Sequence, residues 1–117
     1  MSTVDLLDGV FRALADPRRR RILDLLQGGA MTTGELCEEF PELDRCTVMQ
    51  HLRVLEEADL LIVQRIGRHR WNHLNPLPIQ AVADRWISRH ARVQVRKLAR
   101  FKEELEGAGS LPPAPSG

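Results

Sequence analysis

Residues 44–58 read DRCTVMQHLRVLEEA, and the fold turns on how this stretch is placed. Val48, Leu52 and Leu55 recur at steps of four and three, which lays an apolar stripe along one side of a helix. Arg45, Thr47, Met49, Gln50 and Arg53 then fall on the other side. These are side-chain types that reach phosphates, base edges and thymine methyls. Asp44 is a good N-cap for the free amides of the first turn. It sets the polar residues at the leading end of the helix, the end that enters a major groove when such a helix docks on DNA. The same pattern fits a solvated surface helix, so the flanking chain has to decide.

Upstream, Thr32-Thr33-Gly34-Glu35 has the form of a capping box, with Thr32 as N-cap and Glu35 reaching back. Leu36 and Phe40 follow as core residues of a short helix that Pro41 stops. Only Pro41 to Leu43 separates it from Asp44. A short helix, a tight turn and a longer polar-faced helix make the helix-turn-helix pattern. Further back, Val4, Leu7, Val10, Phe11 and Leu14 keep a helical rhythm, and Asp16-Pro17 supplies an N-cap and a first-position proline. The helix they open, Arg18 to Leu26, ends at Gly28-Gly29. It begins with four arginines, Arg18 to Arg21, where the helix dipole does not favour cations. Either they pair along the helix with Asp24 or they serve the nucleic-acid backbone.

Downstream of Ala58 the period changes from helical to alternating. Leu61, Val63 and Arg65, then Arg70, Asn72 and Leu74, flank Ile66-Gly67-Arg68-His69, so residues 61–75 predict a two-stranded hairpin turning at Gly67. Arg65, Arg68, His69 and Arg70 sit on its arms and tip with no acidic residue among them, which suits phosphate or minor-groove contact. Trp71 is expected to pack the hairpin onto the core. Beyond Pro76 and Pro78, Ile79 to Leu105 reads as one long helix. Its stripe, from Ile79 and Val82 through Trp86 and His90 to Phe101 and Leu105, is too long for a monomer of this size to cover. Residues 1–106 are read as one domain, and residues 107–117 (GAGSLPPAPSG) as a disordered tail.

The composition sets outer bounds. A chain of 117 residues, 43% hydrophobic, holds one core and leaves room for a partner subunit to complete it. The net charge of +1 is uninformative as a sum, but of 17 basic residues only Lys97 and Lys102 are lysines. The rest are arginines, with the planar fork that grips phosphate and guanine, a bias that a GC-rich genome produces equally well. Two cysteines without a CxxC spacing, and no run of spanning length, point to a reduced, cytoplasmic protein with no membrane partner. An enzyme is not expected. The chain has no phosphate-cradling glycine loop, no metal-ligand cluster and no nucleophile with an evident base.

From Phe11 to about Asn75 the chain resembles the arsenic-repressor-like (ArsR/SmtB) family of bacterial regulators. The likeness rests on FRALADPRRRRILDLL, TTGELCEEF, VMQHLRVLEEADLL and VQRIGRHRWNHLNP. The family's HLxxLxxAxL pattern falls on His51, Leu52, Leu55, Ala58 and Leu60, with Asp59 where the family has glycine. This resemblance implies a mainly α winged helix-turn-helix with a small β-hairpin, dimerising through its first and last helices. It implies a homodimer that binds a partly palindromic double-stranded operator and represses it. Arg45, Thr47, Met49, Gln50, His51 and Arg53 are then the candidates to read sequence, and Arg65, Arg68, His69 and Arg70 those to grip the backbone.

The effector implied by the family name is less well supplied. Metal-sensing members carry an ELCxC segment; Cys37 matches its first cysteine, but Glu39 stands in place of the second. Zinc-binding members carry a DxH motif on the last helix, and here Trp86 follows Asp84 where histidine is wanted. Soft-metal and zinc sites need three or four converging ligands, so no metal and no cofactor is expected. Two alternatives stay open. One is a thiol or metal sensor working through Cys37 and Cys46, and the other a winged-helix protein-interaction module without DNA binding.

Overall fold

The computed structural model describes residues 3–87 and 89–109, which fall into two compact units divided between Val82 and Ala83. The first contains α1 (Thr3–Leu14), α2 (Pro17–Leu26), β1 (Met31–Thr32), α3 (Thr33–Glu38), α4 (Arg45–Glu57), β2 (Leu61–Ile66), β3 (His69–Leu74) and the start of α5 (Leu77–Trp86). The second contains the end of α5 and α6 (Arg89–Gly109).

The helix starts follow the sequence signals closely. Asp16 accepts from the amides of Arg18 at 2.8 Å and Arg19 at 3.4 Å, with Pro17 as the first helical residue of α2. Burial pushes the Asp16 carboxyl up, but those two amides together with the charges of His51 and Arg19 hold it below the usual aspartate value. At α3 the capping box is complete: the Glu35 amide donates to Thr32 Oγ1 at 3.1 Å and the Thr32 amide to Glu35 Oε1 at 3.0 Å. Asp44 caps α4 by accepting from the Thr47 amide at 2.7 Å.

The core gathers Val10 and Ala13 of α1, Ile22, Leu23 and Leu26 of α2, Leu36 and Phe40, the α4 stripe Val48, Leu52 and Leu55, and Leu60 and Leu61 beyond it. Each large side chain buried here contributes about 1.5 to 3 kcal/mol relative to exposure. The stripe anchors α4 against the first unit and leaves its opposite side free to dock. The exit from α4 is a Schellman turn: the Leu60 amide donates to Leu55 O and the Asp59 amide to Glu56 O, each at 2.9 Å. Such a turn needs a left-handed residue, and Asp59 supplies it at φ 63° in place of the glycine of the family pattern. Asn75 then ties the wing's exit to this turn. Its amide donates to Leu60 O at 2.9 Å and its side-chain Nδ2 to Asp59 O at 2.8 Å, while Oδ1 accepts from the Leu77 amide at 3.2 Å.

The hairpin is present with Gly67 at φ 61° in its turn, and it belongs to a three-stranded antiparallel sheet of order β1-β3-β2. Strand β1, which pairs Met31 with Asn72 and Thr32 with Trp71, has no signature in the sequence because two residues show no alternation. Asn72 is fully buried at this seam, its Nδ2 donating to Met31 O and Thr33 Oγ1, both at 3.2 Å.

The expected single helix from Ile79 to Leu105 is two. α5 ends at Trp86 and α6 begins at Arg89, although the apolar stripe runs on across the break. Ile87 and Ser88 are weak helix formers, and no proline or glycine marks the place. Helix also persists to Gly109, past the point where the tail was expected to start, and residues 110–117 of that tail lie outside the described residues.

Candidate nucleic-acid interface

α4 presents Gln50 and Arg53 fully outward, and Arg45 is exposed at its leading end with Thr47 half-buried beside it. Cys46, exposed, precedes Gln50 by one helical turn and so stands on the same outward line. The sequence spacing already sets Cys46 on this outward side, although it is not among the residues expected to contact DNA. Two further expected reading residues are half-buried, one on each shoulder of the helix. Met49 is half-buried and packs against the core, because the buried arc of α4 is wider than the Val48–Leu52–Leu55 line and Met49 lies on its shoulder. His51 lies on the opposite shoulder and turns toward α2.

The arginines at the start of α2 explain that turn. Arg19 Nε donates to Ala13 O at 2.8 Å and Nη2 to Arg12 O at 3.0 Å. Arg20 Nη1 donates to Leu14 O at 2.7 Å. These carbonyls end α1, where Arg12 O also accepts from the Ala15 amide at 3.3 Å, so cations at the start of α2 serve the C-terminus of the preceding helix. Arg21 instead lies over the Phe40 ring at 5.7 Å and 3.6 Å from Glu39, which joins α2 to the end of α3. Arg18 is exposed. Sequence reasoning left this cluster between pairing with Asp24 and contact with the nucleic-acid backbone; Arg19 instead lies 4.0 Å from Asp16, and both Arg19 and Arg20 bond the carbonyls that end α1.

Arg19 also brings Nη1 to 3.4 Å from His51 Nδ1, beside a recess of about 330 Å³ lined by Arg19, Gln50, His51, Arg53 and Val54. His51 Nε2 is buried without a hydrogen-bond partner. Burial is the main reason the imidazole titrates below the ordinary histidine value. The Asp16 carboxylate pulls it back up, and the charges of Arg19 and Arg18 push it down again.

On the wing, Arg65, Arg68 and His69 are exposed, but Arg70 is not free. Arg65 and Arg70 stand directly opposite each other across β2 and β3, a like-charge pair. Arg70 resolves it by pairing with Glu56 of α4 at 2.8 Å. Its side chain is only 18% exposed, so it fastens the wing to the reading helix. The outer side of the hairpin carries exposed Ile62 and Ile66 and half-buried Trp71, and His73 Nε2 lies 3.2 Å from Gln64 Oε1.

Cys37 is half-buried against the core, and Cys46 is exposed. Among the described residues no group of three or more His, Cys, Asp or Glu side chains is placed to hold a metal ion. The side chain of His90 lies outside the described residues. Among the described residues, no helix is long and apolar enough to cross a membrane.

A helix-turn-helix whose second helix turns an arginine- and glutamine-bearing side to solvent, flanked by a basic hairpin pinned to its end, defines a winged helix-turn-helix domain. A helix-turn-helix domain family matches residues 14–64. The transcriptional repressor SdpR of Bacillus subtilis is 38% identical over 74 residues, covering 63% of this chain and 81% of that protein. The HTH-type transcriptional regulator Rv2034 of Mycobacterium tuberculosis is 38% identical over 82 residues, covering 70% and 76%. Among solved structures, the ArsR-family regulator RHA00566 superposes with a TM-score of 0.66 at 30% identity, covering 90% of this chain and 95% of that one. The homodimeric winged helix-turn-helix domain Mb0332 of Mycobacterium bovis gives 0.59 at 27% identity, covering 69% and 81%. The chain belongs to the ArsR/SmtB family of winged-helix transcriptional regulators.

Proposed function

We propose that this chain is a homodimeric transcriptional repressor of the cytoplasm that binds a partly palindromic duplex operator and catalyses nothing. The observation that carries the reading is the division of α4: Val48, Leu52 and Leu55 are at most 1% exposed while Gln50 and Arg53 stand in solvent on the far side. Such a helix is fixed in place by one face and free to enter a major groove with the other. Arg45, Thr47, Gln50 and Arg53 read base edges, with Gln50 suited to adenine. Arg65, Arg68 and His69 grip the backbone or minor groove from the wing. Met49, His51 and Arg70 support the face from within.

Dimerisation has its own support. Leu6, Phe11 and Leu77 are 57%, 45% and 70% exposed. Near them an apolar cleft of about 580 Å³ opens between α1, the end of α4 and the start of α5, lined in part by Leu6, Val10, Val54 and Leu77. In the second unit Leu98, Phe101 and Leu105 recur on α6 at steps of three and four and are all more than half exposed. Exposed apolar stripes on the terminal helices suit a second copy of the chain.

Analytical ultracentrifugation with a labelled duplex carrying the DNA upstream of the coding sequence tests both parts. The expected result is a free dimer and one dimer per duplex. A monomer that binds no duplex contradicts the reading.

A further inference from the structure

Arg19 occupies an unusual position between the helix assigned to dimerisation and the helix assigned to reading. Its guanidinium bonds the Arg12 and Ala13 carbonyls at the end of α1, lies 4.0 Å from Asp16 Oδ2, and touches the middle of α4 at His51 Nδ1. The side chain is only 15% exposed, so this fork has little room to reach a phosphate. A guanidinium is always charged and only donates. Its approach to His51 Nδ1 therefore needs a lone pair there, which places the imidazole proton on Nε2. That is the atom buried without a partner.

We propose that Arg19 is a positioning residue for operator binding: it carries the placement of α1 to the reading helix through His51, and the contact holds only while His51 is neutral. The proposal rests on the DNA-binding reading above. A second proton on the imidazole would put an N–H against the guanidinium, leaving two cations in contact on a part-buried surface. The groups around the ring do not rescue that state. Asp16 favours the extra proton, but Arg18 and Arg19 of α2 oppose it, and the recess adds Gln50 and Arg53 of α4 itself, one neutral and one cationic. With the contact broken, α4 loses a lateral support directly inside Gln50 and Arg53. The groove-facing residues then shift relative to the dimer axis, and sequence discrimination weakens before the fold does.

The test uses the full chain and a fluorescein-labelled duplex, selected by the wild type from a random-sequence pool at pH 7.5. Affinities are measured by anisotropy from pH 7.5 to 5.5 for the wild type and for His51→Asn, which keeps an acceptor near the Nδ1 position and cannot take up a proton. Circular dichroism at each pH records that both remain folded. The wild type is expected to lose roughly three- to tenfold more affinity than His51→Asn over that span, as titration of one histidine allows. Comparing the two proteins cancels the titration of the histidines they share. In the second arm, Arg19→Lys keeps the charge but not the fork. It is expected to lose about tenfold for the selected duplex while its affinity for an unrelated duplex stays within about twofold, because a lost phosphate contact would weaken both alike. Parallel pH curves for wild type and His51→Asn would overturn the proposal, as would equal losses of Arg19→Lys on both duplexes. Failure of the wild type to select any duplex would overturn the DNA-binding reading as well.

Discussion

Two arginine clusters, Arg18 to Arg21 at the start of α2 and Arg65, Arg68 and Arg70 on the wing, look alike in the sequence and are used in opposite ways. In the first, Arg19 and Arg20 are committed to the carbonyls that end α1, and Arg21 to Phe40 and Glu39. In the second, Arg65 and Arg68 stand in solvent and only Arg70 is engaged, by Glu56. The difference comes from what lies beside each run. A helix end supplies unpartnered carbonyls that need donors, whereas a hairpin tip has already paired its backbone and leaves its side chains free. A basic run thus says little about nucleic acid until the nearest orphan acceptors are known.

This contrast makes its sharpest prediction in stability. Arg19→Ala removes charged donors from two helix-terminal carbonyls on a mostly buried side chain, and urea unfolding should show a loss of about 2 to 3 kcal/mol. Arg68→Ala in the same experiment should stay within about 0.5 kcal/mol of wild type. Equal losses for the two would erase the distinction between the clusters.

DNA binding should reverse the ranking. Arg68→Ala is expected to weaken selected and unrelated duplexes alike, by about 1 kcal/mol, and to flatten the slope of log affinity against log salt by about one. A salt slope identical to wild type would reduce the wing to a solvated hairpin. Arg70 provides a smaller test, since it belongs by sequence to the wing and by structure to the supports. A double-mutant cycle of Arg70→Ala and Glu56→Ala should return a coupling of about 0.5 to 1 kcal/mol, modest because Glu56 is 45% exposed. No coupling would return Arg70 to the gripping set.

The smallest expected effect is in pH. His51 titrates below its unfolded value, so the neutral form is favoured by folding. Its contribution is fully present above the unfolded pKa near 6.5 and is lost as pH falls from there toward the folded value. The wild type should therefore lose stability relative to His51→Asn as the pH drops below about 6.5, a difference visible in paired thermal melts. Curves that remain parallel across that window would mean the imidazole is solvated.

How far the sequence could carry these distinctions depends on how local the deciding contact is. Asp16-Pro17, the Thr32/Glu35 box and Asp44 each complete their hydrogen bonds within three residues, and all three helix starts fell where the pattern put them. Gly67 and the alternation around it placed the hairpin for the same reason. Contacts between distant segments were not legible. The Arg19–His51 contact spans 32 residues, the Arg70–Glu56 pair joins strand to helix, and β1 exists only because β3 lies beside it. The break after Trp86 escaped for a different reason: hydrophobic periodicity carries through it, and periodicity reports which side is apolar rather than whether the helix is continuous. At Asp59 the opposite occurred. A departure from the family's glycine left the turn intact, because an aspartate tolerates the left-handed conformation that the two Schellman hydrogen bonds impose.

The claim that the outward side of α4 reads DNA while the wing only holds it is open to one direct measurement. Duplexes are selected from a random pool by the wild type, by Gln50→Ala and by Arg68→Ala, and sequenced. The account predicts two half-sites related by a two-fold axis for the wild type and the same motif for Arg68→Ala. For Gln50→Ala it predicts a motif relaxed at one position of each half-site, by about 1 to 3 kcal/mol of discrimination. An unchanged motif from Gln50→Ala, or a motif altered by Arg68→Ala instead, would contradict it.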